Sequence, residues 1–159
     1  MKKQAKYIIA GVVIVLVLAA GVYIRNSNSI ISKADLQAAI ANGKADYTNP
    51  AIRKAVLQYA IQEISMTTPQ KIDPLTTLVS VTSDYDREIF YNYQIEKEPV
   101  NFAKIKPLLA EQLKNYWCVS PQTLENRKMG IVATYIYTVA ASKKEIAHLS
   151  IDTRACQAK

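Results

Sequence analysis

Glycine is scarce, with four residues in a chain of 159. A loop that lets several backbone N–H groups close around a phosphate needs glycine at fixed intervals, so nucleotide binding of that kind has no local support. Histidine is scarcer still. His148 stands alone, without a second histidine or a cysteine at metal-ligand spacing, and no metal centre is expected. The only cysteines, Cys118 and Cys156, are too far apart for the neighbouring pair that thioredoxin-like redox chemistry requires. None lies near residues 17–24, where a lipid-anchored protein would carry one. Ser80, Ser83, Ser120, Ser142 and Ser150 lack a G-x-S-x-G or S-x-x-K context, so a serine hydrolase has no motif. A block of basic residues with interleaved aromatics is also missing, and nucleic acid is not an expected partner. No cofactor is implied.

What is present begins with an apolar run over 7–24, about 17 residues free of charge, at the short end of what crosses roughly 30 Å of hydrocarbon. Tyr7 and Tyr23 flank it. Lys2, Lys3 and Lys6 precede it against Arg25 alone after it, so the positive-inside bias predicts a cytoplasmic tail over 1–6 and a domain on the periplasmic side of an inner membrane. A cleaved signal peptide is the competing reading, with Val17-Leu18-Ala19 a passable site, but the run continues through Ile24. Once the four flanking cations are set aside, 16 of the 20 basic residues remain against 13 acids, spread as on an ordinary solvated surface. A polar stand-off over 25–31 then leads to a domain over 32–156.

That domain reads as α+β. Ser32 with Asp35 opens a short helix that Gly43 ends, and Asn49-Pro50 opens a second, running to about Ser65, with Ile52, Val56, Leu57, Ala60, Ile61 and Ile64 at helical spacing. Runs over 75–82 and 89–96 form a hairpin about Asp84-Tyr85-Asp86-Arg87. A helix follows over 101–117, with Pro107 calling for a kink or a later start at Ile105 or Lys106. Ser120-Pro121 opens a short turn of helix closed by Gly130, and a second hairpin spans 131–153. One antiparallel layer of two hairpins, with helices on one face, accommodates this order. In an oxidising compartment Cys118 and Cys156 are expected to pair, stapling the long helix to the sheet edge; two buried free thiols are the alternative.

Four of the ten tyrosines form two Tyr-x-Tyr pairs, Tyr91 with Tyr93 and Tyr135 with Tyr137, each pair on one face of its strand. They either pack across strands within the core or form an aromatic platform that holds a partner, and in the second case they are candidate contacts. His148 is either a surface residue or, with Asp73, Asp84, Asp86, Glu88, Glu96 and Glu98 of the first hairpin, part of a ligand-binding or hydrolytic site. Those acids alternate with Lys71, Arg87 and Lys97, as a solvated edge does, and lack calcium-loop spacing.

From Ile72 onward the chain resembles a recurrent family of small exported or membrane-anchored bacterial proteins of uncharacterised function. The resemblance rests on Ile72-Asp73 with Thr77-Leu78 and Ser80-Val81, then Tyr91-x-Tyr93-x-Ile95, Cys118, Gly130, Tyr135-x-Tyr137 and Cys156. It implies an exported, disulfide-bonded α+β domain and no particular activity. The second hairpin departs from the pattern, with Ser142-Lys143-Lys144 where Asp and Gly are common. The chain also bears a looser likeness to secretion pilotins. These features together imply a non-enzymatic, membrane-tethered envelope protein that works through a protein partner, in a secretion, conjugation or exclusion system.

Overall fold

The computed structural model describes residues 23–26, 29–99 and 101–156. The anchor expected over 7–24 lies outside them except for Tyr23 and Ile24. These two belong to a strand, β1 (Tyr23–Asn26), paired antiparallel with β2 (Ser29–Ser32), so the expected helix does not extend through them. The stand-off over 25–31 is likewise largely a two-stranded ribbon, in which the β-branched Ile24, Ile30 and Ile31 favour extended backbone. Among the described residues no helix is long and apolar enough to cross a membrane.

α1 (Lys33–Ala41) starts where Ser32 Oγ accepts the Asp35 N–H at 3.0 Å and donates to its carboxylate at 2.6 Å. α2 (Pro50–Thr67) is capped by Asn49, whose Oδ1 accepts the Ala51 N–H at 2.9 Å. The two helices are fastened by Lys33, which is 1% exposed; its Nζ donates to Glu63 at 2.6 Å and lies 5.6 Å from the centre of the Tyr59 ring. β3 (Gln70–Asp73), β4 (Thr76–Ser83) and β5 (Glu88–Ile95) follow, then α3 (Phe102–Val119), a 3-10 turn at Pro121–Thr123 and α4 (Leu124–Lys128). α3 starts at Phe102 and contains Pro107 near its beginning. β6 (Val132–Val139), β7 (Glu145–Asp152) and a last 3-10 turn at Thr153–Cys156 complete the order.

The strands β3 to β7 lie side by side in sequence order. Both expected hairpins form, β4 with β5 and β6 with β7, and β3 adds a short edge strand. The purely antiparallel expectation is corrected at the centre of the sheet, where β5 and β6 are parallel from Glu88↔Val132 to Ile95↔Val139. The cause is α3. It carries the chain back to the end of the sheet where β5 began, and a crossover of this kind is what lets two strands run in one direction. The helices share one face of the sheet. On β5, Ile89, Tyr91, Tyr93 and Ile95 are buried and alternate with half-buried Phe90, Asn92 and Gln94. The buried set joins Leu57 and Ile64 of α2 with Leu109, Leu113 and Trp117 of α3 in a single core.

Candidate functional site

The parallel seam places the two Tyr-x-Tyr pairs side by side, Tyr91 opposite Tyr135 and Tyr93 opposite Tyr137. The rings stack at 5.1 and 5.0 Å between centroids, each pair tilted by 13°, and Tyr93 reaches Tyr135 at 6.5 Å. All four are buried beneath the helices, none more than 7% exposed. Burial pushes every one of these hydroxyls well above its ordinary pKa. The open aromatic platform is therefore corrected: these side chains form the middle of the core, because the helices cover the face on which they lie.

His148 points the other way. It is half exposed, its Nδ1 3.6 Å from a carboxylate oxygen of the neighbouring Glu145. The acids of the first hairpin do not converge on it. Asp73 Oδ1 accepts the N–H groups of Leu75 and Thr76 at 2.7 and 2.8 Å, Asp86 pairs with Arg53 at 3.2 Å, and Glu88 accepts from Thr134 at 2.5 Å. Asp84 organises the β4–β5 turn, its Oδ1 accepting from Asp86, Arg87 and Glu88 at 2.9 Å each. Glu98 pairs with Lys144 at 3.4 Å. These carboxylates are engaged by separate partners, and among the described residues the only carboxylate within ion-pairing distance of His148 is that of Glu145, so the expected convergence of His148 with the acids of the first hairpin is corrected as well. Among the described residues no group of three or more His, Cys, Asp or Glu side chains is placed to hold a metal ion.

Side chains do converge at one end of the sheet, in an open cleft of about 810 Å³. Its walls come from the α1–α2 loop, the first turn of α2, the β4–β5 turn, the end of α4 with the residues after it, and the end of β7 with the residues after it. They carry Arg53, Arg87, Arg127, Lys128 and Arg154 against two carboxylates, Asp46 and Asp152. Asp46 shapes its own loop by accepting from Thr48 Oγ1 at 2.6 Å and the Thr48 N–H at 3.0 Å, which lowers its pKa. Tyr47 donates to Glu125 and so ties that loop to α4. Gly130, at φ +70°, turns the chain out of α4 into β6, a left-handed conformation that glycine adopts without strain.

The cations are committed to different degrees. Arg127 Nη1 donates to the carbonyls of Trp117 at 2.5 Å and Ser120 at 2.9 Å and to Thr123 Oγ1, closing the C-terminus of α3 where positive charge suits the helix dipole. Arg154 grips Asp152 through Nε at 2.9 Å and Nη2 at 2.5 Å, and that hydrogen bonding holds the Asp152 carboxyl down at about 2. Lys128 pairs with Glu125 at 2.7 Å. Arg53 reaches Asp86, while its Nε is enclosed with no acceptor. Among the described residues Arg87 has no carboxylate within ion-pairing distance of its guanidinium. Cys118 and Cys156 are joined, with Cα atoms 5.2 Å apart, so the end of α3 is bonded to the chain two residues beyond Arg154.

The fold has known counterparts. One is a predicted secreted protein from Pseudomonas aeruginosa, 17% identical, with a TM-score of 0.56 over 65% of this chain and 91% of that one. Another is the pilotin EpsS of the type 2 secretion system of Vibrio vulnificus, 13% identical, with a TM-score of 0.52 over 70% of this chain and 100% of that one. The likeness to secretion pilotins thus holds at the level of fold. No family model matches the chain, and no curated protein matches it by sequence.

The cleft escaped the sequence because five separate segments build it. Arg127-Lys128 is its only adjacent pair of cations, and that dipeptide looks like any helix end. The remaining members become neighbours only when the strands are ordered.

Proposed function

We propose that this chain is a non-enzymatic accessory protein of the bacterial cell envelope, tethered by the apolar run that precedes β1, with its N-terminus in the cytoplasm and its folded domain in the periplasm. Its work there is to hold a protein partner for a secretion, conjugation or exclusion system. The observation that carries the reading is the Cys118–Cys156 bond. Such a bond persists in oxidising compartments, and here it closes a domain whose fold a secretion pilotin shares. The charge asymmetry around the apolar run supports the orientation.

A reporter that is active only in the periplasm, fused after Lys159, tests this placement when the same chain carries an N-terminal tag. Reporter activity together with a tag retained in the membrane fraction is the expected result. An inactive reporter overturns the orientation, and a mature protein that has lost its tag converts the anchor into a signal peptide cut near Ala19 or Ala20.

A further inference from the structure

We infer that the basic cleft is the docking site for an acidic peptide segment of the partner, with Arg87 and Lys128 meeting its carboxylates; this deepens the envelope-accessory reading and rests on it. The first reason is charge. Five cations and two carboxylates line the cleft; of the cations, Arg53 is paired with Asp86 outside it, and of the carboxylates, Asp152 is engaged by Arg154. Among the described residues Arg87 makes no direct ion pair, although its charge acts on Asp152, and Lys128 is held by an exposed pair with Glu125. Exposed pairs of this kind contribute about 0–1 kcal/mol, so an incoming carboxylate displaces one at little cost. The positive end of the 18-residue helix α2 opens on the same cleft, since Thr48 and Arg53 lie in its wall.

The second reason is position, and it separates a protein partner from a lipid headgroup. The chain joins the domain at Ser32, and the Lys33–Glu63 pair fixes that point beside the C-terminal half of α2. The cleft lies at the N-terminal end of α2, thirteen residues back along the helix from Glu63, or about 20 Å at 1.5 Å per residue. The cleft therefore lies toward the opposite end of α2 from the point where the chain joins the domain, which favours a partner reaching it over a lipid surface at the entry point. An open cleft walled by cations suits an extended chain carrying several carboxylates.

The test uses the purified full-length chain and fluorescein-labelled hexaglutamate, read by anisotropy. The double variant Arg87→Gln/Lys128→Gln is expected to bind at least tenfold more weakly than the wild type. Lys104→Gln/Lys106→Gln removes the same charge at the opposite end of the domain and is expected to change binding less than twofold. Arg87→Lys/Lys128→Arg keeps the charge and is expected to keep the affinity, which guards against a loss caused by misfolding. Equal losses in the two glutamine pairs, or no binding at millimolar peptide, overturn the inference. So does displacement by glycerol phosphate at lower concentration than by unlabelled peptide, which would assign the cleft to a phosphate headgroup. The reporter fusion measures envelope placement independently, so either idea can fail while the other stands.

Discussion

Asp84 shows how one side chain fixes a turn at the rim of the cleft. Partial burial works against its charge, but the amides of Glu88, Asp86 and Arg87 outweigh that and keep its carboxyl below the ordinary value. Since the folded group titrates lower than the unfolded one, near 3.9, its contribution is complete above that value and disappears as pH falls through the lower, folded value. Asp84→Asn should therefore lose about 0.5–1 kcal/mol at pH 7, after allowance for solvent screening of an exposed group. The gap between variant and wild type should close on acidification below about pH 4. Urea unfolding at pH 7 and pH 3 measures both, and a gap that does not change with pH would show that the charge contributes nothing. Lys143 illustrates the opposite case. The turn of the second hairpin holds it at φ +56°, the conformation that glycine takes freely, in a turn where the sequence offers no glycine.

At the scale of elements, the boundaries legible in the sequence were those set by local chemistry. Asn49-Pro50 begins α2, Ser32 begins α1, and Gly43 and Gly130 end helical segments, because caps and positive φ depend on residues a few positions away. Strand direction was not legible. A hairpin announces itself through its turn, but whether β5 and β6 run parallel depends on where α3 delivers the chain, and no residue in either strand encodes that. The same gap hid the role of the tyrosines, since Tyr-x-Tyr gives a shared face without saying which face the helices will cover. Buried and stacked, they should behave as core. Tyr135→Ala should cost about 3–5 kcal/mol, whereas Tyr137→Phe should cost less than about 1 kcal/mol. Thermal and urea unfolding test this, and a soluble, stable Tyr135→Ala that has lost only partner capture would overturn the core assignment.

At the scale of the molecule, the disulfide is a covalent tie between the end of α3 and the chain beyond β7, on the side of the domain that carries the cleft. The bridged residues are 38 apart in sequence. Closing such a loop in the unfolded chain gives roughly 4 kcal/mol in the chain-entropy estimate. Cys118→Ser or Cys156→Ser should accordingly lower stability by about 2–5 kcal/mol. Thiol titration of the unfolded wild type with and without reductant checks the bond itself: two thiols without reductant would remove the basis of the prediction.

The parallel seam has a consequence for how the chain assembles. Each hairpin closes locally, whereas partners across the seam such as Glu88 and Val132 lie 44 positions apart. Their meeting must wait for a long loop to close, a non-local step of the kind that slows folding. Until then the tyrosines of each half lack their stacking partners across the seam, and the surface that one half recognises is the aromatic face of the other. That recognition does not depend on the halves sharing a chain. The first half of one molecule and the second half of another can build the same tyrosine stack, so at high concentration the joining of the two halves competes with exchange between copies.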